Sequence, residues 1–210
     1  VLVVGGGVTG GLVAHRLSSA GVDVLVVDRE LVGAASTAAS TGLLQYEVDT
    51  PLVDLVGKVG VAHAVHAYRR GLAAVDEIEA IVASLGNSCG FSRRPSLYFA
   101  GRFWHYRRLK AEYECRKEHG FNVEFLDRRE LADISSIRAA GAIRSAGDAQ
   151  IDPLCFTQKL LRAAAAAGAR VYERTSIDEV DVTADGVNAR TDRGMVRARR
   201  IIYSTGYDTK

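Results

Sequence analysis

Proline occurs only three times in these 210 residues, methionine and tryptophan once each, and cysteine three times, at Cys89, Cys115 and Cys155. So little proline beside 21 glycines excludes a Pro/Gly-rich linker and points to glycine used locally for backbone geometry. An odd cysteine count with no Cys-x-x-Cys pair argues against a disulfide scaffold or a zinc site, and a reducing, cytoplasmic compartment is expected. An excess of charge is lacking too: Lys plus Arg at 27 against Asp plus Glu at 25 leave +2, so no polybasic field exists for a nucleic acid backbone or an anionic membrane. The apolar stretches are broken by charge or glycine well short of the roughly 20 residues of a membrane span, and no signal peptide is expected ahead of the first strand. With 48% hydrophobic and 25% charged residues the balance is that of a globular chain, which excludes disorder as the dominant state. The opening on an apolar run without Met, and the stop at Lys210 just after another, suggest a fragment of something longer.

What is present begins at the first residue. Val1-Leu2-Val3-Val4 is apolar at consecutive positions, as expected of a parallel strand buried on both faces, and runs straight into Gly5-Gly6-Gly7-Val8-Thr9-Gly10-Gly11. Val13, Leu17 and Ala20 then fall on a helical stripe closed by Gly21. A second apolar run, Val24-Leu25-Val26-Val27, ends at Asp28 and completes β-α-β within about thirty residues. In that context the G-x-G-x-x-G spacing acquires a mechanism. Gly5 permits the turn, Gly7 lets backbone approach a pyrophosphate, and Gly10 allows close packing of helix on strand. The helix start at Val8 and Thr9 presents N–H groups and positive dipole to that anion. Asp28, 21 positions after Gly7, sits where a carboxylate binds ribose hydroxyls of a dinucleotide. Glu30 is its competitor but lies in the following loop, and Arg29 is expected as a solvated or adenine-stacking neighbour.

Farther on, Thr50-Pro51 reads as an N-cap followed by proline at the first helical position, opening a long helix broken near Gly57 or Gly60. Residues 97–100 read as a strand, 103–119 as a basic helix closed by Gly120, and 122–126 as a strand. Asp127-x-x-Glu130 reads as a capping box. Ala142-Ile143 and Ile151 are expected to flank an antiparallel strand pair, before Asp152-Pro153 starts a helix ending at Gly168. Val171-Tyr172 and segments to residue 196 look like an antiparallel meander feeding a final apolar strand, Ile201-Ile202-Tyr203.

Together these segments resemble the FAD-dependent oxidoreductases that include glycine oxidase, D-amino-acid oxidase and monomeric sarcosine oxidase. Beyond the β-α-β unit, the stretch Ser36-Thr37-Ala38-Ala39-Ser40-Thr41-Gly42-Leu43-Leu44 is similar to the small-residue segment that wraps the FAD pyrophosphate and flavin in that family, which implies contacts from Ser36, Thr37, Thr41, Gly42 and Leu43. Asp148 to Pro153, with the following helix and the strand into Thr175-Ser176-Ile177, is similar to the return into the FAD domain, implying a backbone contact to adenine near Ile177. Ile201 to Gly206 looks like the second FAD segment, with Thr205 and Gly206 against the cofactor.

The resemblance implies an α/β fold: a Rossmann-like FAD-binding domain over residues 1–48 and 146–210, with an inserted α+β segment of the substrate domain over 49–145. It implies noncovalent FAD, because a histidine used for covalent attachment in some relatives would fall at about Ala39. It implies oxidation of a small amine or amino acid by hydride transfer to flavin. A dehydrogenase for a 2-hydroxy acid or glycerol phosphate, or a noncatalytic protein on the same fold, are the alternatives. The family's substrate-anchoring residues usually follow Lys210, so no catalytic residue is assigned. His63 and His66 share a helix face without an adjacent acid or cysteine and are read as ordinary histidines. Arg102, Arg107, Arg108, Lys110, Arg116 and Lys117, interleaved with Glu112, Glu114 and Glu118, read as a solvated helix. Tyr46 is expected to pack on its domain.

Overall fold

The computed structural model describes residues 1–86, 88–102 and 105–206. It divides into two compact units, one of residues 1–42, 84–89 and 152–210, the other of 43–83 and 90–151. No described helix is long and apolar enough to cross a membrane.

The first unit is built on a parallel sheet. Strands β1 (Leu2–Val4), β2 (Leu25–Val27), β9 (Arg170–Tyr172) and β13 (Ile201–Tyr203) lie in the order β13-β1-β2-β9, with Val3 opposite Val26 and Ile202. Helices α1 (Val8–Ser19) and α6 (Pro153–Ala166) pack together against one face. Strands β10 (Ile177–Thr183), β11 (Gly186–Thr191) and β12 (Gly194–Ala198) form an antiparallel meander. The alternation of side chains along a strand explains why the apolar runs are unbroken. Val3, Val26 and Val171 join Ala14, Leu161 and Ala164 on the helical side, while Leu2, Val27 and Ile201 join Ala189, Val180 and Val196 on the meander side. A strand covered on both faces has no position for a polar side chain.

The second unit carries two small antiparallel sheets. One orders β3 (Leu43–Leu44), β8 (Ala149–Gln150) and β4 (Ser92–Arg93) as β3-β8-β4; the other orders β5 (Ser96–Phe99), β7 (Gly141–Ser145) and β6 (Val123–Asp127) as β5-β7-β6. Helices α2 (Leu52–Val59), α3 (Val61–Ser84), α4 (Tyr106–Glu118) and α5 (Arg128–Ile134) complete it. Tyr46 is buried and packs with Tyr68 and Phe121 at ring separations of 5.9 Å each, as its sequence context led us to expect.

Several local expectations are met. The long helix breaks at Gly60, where φ is +81°. Asp127 and Glu130 form a reciprocal capping box, and Asp152 caps α6 with Pro153 in its first turn. Three are corrected. Pro51 is itself the N-cap of α2 rather than its first helical residue, and the Thr50 carbonyl accepts the Tyr68 hydroxyl instead. Ala142-Ile143 and Ile151 do not flank a strand pair: β7 pairs with β5 and β6, whereas β8 pairs with β3 and β4. Val171-Tyr172 belongs to the parallel sheet, not the meander, because β9 pairs with β2. The expected basic helix is seen from Tyr106; Phe103 and Trp104 lie outside the described residues.

Candidate nucleotide-binding site

At the carboxyl end of β1 the chain turns through three glycines into α1. Gly5 has φ +102°, and a Cβ there would stand 2.5 Å from the Ser204 carbonyl oxygen. A Cβ on Gly10 would lie 1.9 Å from the Gly5 carbonyl oxygen. These two positions admit only glycine because backbone meets backbone. Gly7 is different: a Cβ there meets only the Thr37 hydroxyl, at 3.0 Å, so beyond its chain neighbours the position is open. Gly7 is also the N-cap of α1, with no capping side chain of its own, and no acidic residue stands in the first turn to offset the positive end of the helix.

Asp28, at the end of β2, is half-buried and fixed from several directions. Its Oδ2 accepts the Gly6 N–H at 2.6 Å and its Oδ1 the Glu30 N–H at 2.8 Å, while its own N–H donates to the Tyr172 carbonyl at 2.9 Å. The carboxylate thus ties the glycine turn to the end of the second strand. Each oxygen retains a further lone pair for a ligand hydroxyl. Arg29 and Glu30 are exposed. Gly6, which the spacing rule leaves as a variable position, is also constrained, by a side chain rather than by backbone: a Cβ there would stand 2.7 Å from Val32 Cγ1. The run of three glycines was the sequence signal for it.

Of the small-residue stretch, Thr37 reaches the turn. It is buried, and its Oγ1 accepts the Val8 N–H at 3.1 Å. Ser36 and Thr41 are exposed, and Gly42 is buried with its N–H donated to Ser40 Oγ at 3.3 Å. Leu43 opens β3 in the second unit and is 60% exposed. Thr9 is exposed on the first turn of α1. After β13, the Ser204 N–H donates to the Val4 carbonyl at 2.7 Å, which sets Thr205 and Gly206 beyond the strand end, the latter at φ +66°. The side chain of Ile177 packs with the core between sheet and meander. The structure therefore gathers Gly5, Gly7, Val8, Gly10, Asp28 and Thr37 around one helix start, with Thr205 following the adjacent strand.

This arrangement fits an anionic dinucleotide. An uncompensated helix N-terminus, an open glycine at its cap and a carboxylate at the next strand end are the parts such a ligand needs. The buried Ser204 Oγ, which has no hydrogen-bond partner among the described residues, adds an unused polar group beside the same turn. A shallow cleft of about 170 Å³ lined by Val1, Asp23, Arg170 and Met195 lies at the opposite, amino, end of these strands, where parallel sheets do not hold ligands.

In the second unit the basic helix departs from the solvated reading at two positions. Glu112 and Arg116 are buried, at 1% and 2% exposure, with Arg116 Nε 2.5 Å from Glu112 Oε1. The Glu112 carboxylate accepts the Leu52 and Val53 N–H groups at 2.9 and 2.8 Å, supplying from another helix the cap that Pro51 cannot give α2. Arg116 also donates to Glu47 Oε1 at 2.7 Å and Ser145 Oγ at 3.2 Å. Burial works against its charge, but Glu112 and Glu47 more than offset this and raise its pKa above the ordinary arginine value.

Strand, glycine turn, helix and acid-tipped second strand define an α/β protein of the dinucleotide-binding class. The chain belongs to the FAD dependent oxidoreductase (DAO) family, which matches it over residues 1–210. It is 25% identical over 214 residues to glycine oxidase of Geobacillus kaustophilus, covering 98% of this chain and 54% of that protein. It is 26% identical over 215 residues to 4-methylaminobutanoate oxidase (formaldehyde-forming) of Paenarthrobacter nicotinovorans, covering 100% of this chain and 24% of that one. The crystal structure of glycine oxidase from Bacillus cereus superposes with a TM-score of 0.78 at 22% identity, over 96% of this chain and 53% of that one, which establishes the shared fold. The chain thus spans between a quarter and about half of the length of these relatives.

Proposed function

We propose that this chain is the FAD-holding part of an oxidoreductase that takes two electrons from a small amine or amino acid. The observation that carries the proposal is the open cap at Gly7, flanked by Thr37 and by Asp28, at a helix start without acidic residues. Bound FAD supplies the electron acceptor, and the protein supplies position and electrostatics. In this reading the first turn of α1 takes the pyrophosphate. The Thr37 hydroxyl, which accepts from Val8, has its own proton to donate to a phosphate oxygen. Asp28 accepts the adenosine ribose hydroxyls, Arg29 lies beside adenine, and the backbone near Ile177 touches the base. Ser36, Thr41, Gly42, Thr205 and Gly206 offer small side chains or glycine backbone to the rest of the cofactor. Attachment is noncovalent, since Ala39 carries no nucleophile. A nitrogen-bearing substrate is supported by the names of the two curated relatives, glycine oxidase and 4-methylaminobutanoate oxidase.

The test uses the full-length protein. It should purify yellow, release its flavin to the supernatant on acid precipitation, and bleach anaerobically with glycine or an N-methylated amino acid. Gly7→Val should lose the flavin while keeping its far-UV circular dichroism. Normal flavin occupancy in that variant would remove the pyrophosphate from this turn, and bleaching only by hydroxy acids would overturn the substrate class.

A further inference from the structure

Two of the three cysteines, 66 positions apart in sequence, meet in the first unit with their sulfurs 2.6 Å from one another. One residue arranges the encounter. The Asp152 N–H donates to the Cys89 carbonyl at 2.8 Å, and Asp152 Oδ1 accepts the Cys155 N–H at 2.9 Å, so the N-cap of α6 fixes both backbones. Cys89 is held in the left-handed region, at φ +45°, and is 3% exposed. Cys155 is half-buried in the first turn of α6. We propose that Cys89 and Cys155 are a dithiol modification site, oxidised by a peroxide to an intramolecular disulfide.

The two sulfurs have different parts. Cys155, in the first turn of α6, is the more accessible of the two and so meets the peroxide first. Lys159, one turn later on the same helix, adds positive charge near the pair, against the negative charge of Asp152. Cys89 is the resolving thiol: burial, reinforced by Cys155, pushes its pKa up to about 12, so it waits protonated. The Cys155 thiol gives up its proton and its sulfur attacks one peroxide oxygen, breaking the O–O bond and leaving Cys155 sulfenic acid and, with hydrogen peroxide, one water. The Cys89 sulfur then attacks the sulfenic sulfur, the S–O bond breaks, and the hydroxyl leaves with the Cys89 proton as a second water. Two thiols lose two electrons and the peroxide gains them. Among the described residues no group of three or more His, Cys, Asp or Glu is placed to hold a metal, which favours redox chemistry over a metal site. The proposal rests on thiol geometry and is independent of the FAD assignment.

Cys115, in α4 of the second unit, is the internal control; burial raises its pKa as well. Reduced full-length protein is treated with hydrogen peroxide and mapped by non-reducing peptide mass spectrometry. The expected product has lost the mass of two hydrogen atoms, joins the Cys89 and Cys155 peptides, reverts with dithiothreitol and leaves Cys115 as a thiol. In Cys89→Ser the Cys155 sulfenic acid should persist and be trapped by dimedone. Linkage through Cys115, oxidation of Cys115 as fast as Cys155, or no link after peroxide would each overturn the proposal. The wild-type map decides it even where a variant folds poorly.

Discussion

Neighbouring glycines in one turn answer to different forces. Gly10→Ala should cost about 3 kcal/mol or more in urea denaturation, because its Cβ would lie 1.9 Å from a backbone oxygen that cannot give way. Gly7→Ala should cost much less stability than this and weaken FAD, since beyond its chain neighbours the new Cβ meets only the Thr37 side-chain oxygen, at 3.0 Å, which needs to give way by a few tenths of an ångström. Equal destabilisation of both variants would contradict this division between packing and ligand approach. Asp28 holds Gly6 and Glu30, and in the proposed reading it also accepts the adenosine ribose hydroxyls. A hydrogen bond to a charged group contributes about 1.5–3 kcal/mol, so Asp28→Ala should weaken FAD roughly 10- to 150-fold. Glu30→Ala should change affinity little; should it prove the more damaging in titration of apoprotein, the ribose assignment fails.

The start of α2 depends on a side chain supplied by α4. Glu112 satisfies the Leu52 and Val53 N–H groups while pairing with Arg116, so its removal leaves two helix donors without their acceptor and the buried guanidinium with only Glu47 and Ser145 as partners. Glu112→Ala should therefore destabilise the protein by about 3–5 kcal/mol. Glu112→Gln should cost less, because an amide oxygen still accepts a backbone N–H. Chemical denaturation of both variants checks the order, and a Glu112→Ala protein as stable as wild type would show that the α2 cap is dispensable.

At the scale of the whole molecule, pH and oxidation state are the levers. Asp148 is 3% exposed, and burial raises its pKa, helped by the charge of Glu47 and opposed by hydrogen bonds from Ser96 and the Tyr46 N–H. A carboxyl whose pKa is higher folded than unfolded holds its proton better in the native state. Its contribution is complete below the unfolded value and is lost as pH rises through the folded one. Wild type should therefore lose thermal stability relative to Asp148→Asn as pH rises above the ordinary aspartate value of about 4. Melting curves that stay parallel over that range would refute the assignment. Oxidation acts in the opposite sense: a bridge between residues 66 apart removes on the order of 4 kcal/mol of chain entropy from the unfolded state. Peroxide-treated protein should melt higher than the same sample after dithiothreitol, and an unchanged Tm would show that the bond adds no constraint.

The sequence by itself determined the features whose causes lie within a few residues. The strand-turn-helix start, the break at Gly60, the Asp127 capping box and the span of α6 from Asp152 toward Gly168 follow from φ preferences, local side-chain-to-backbone bonds and hydrophobic period. Asp28 was legible as a strand-end acid because its place depends on one βαβ unit, although its bond to Gly6 was not. Tertiary structure alone decided what joins distant segments. Glu112 and Arg116 carry the spacing of an ordinary solvent-facing ion pair, and nothing near them in sequence tells that the partner N–H groups arrive from residues 52 and 53. Val171-Tyr172 has the composition of any short strand, so its place beside β2 rather than in the meander is set by which edge the folded sheet leaves open. Cys89 and Cys155 looked like unrelated thiols because a pairing across 66 residues has no local signature; the chain brings them together only when α6 returns to the first unit.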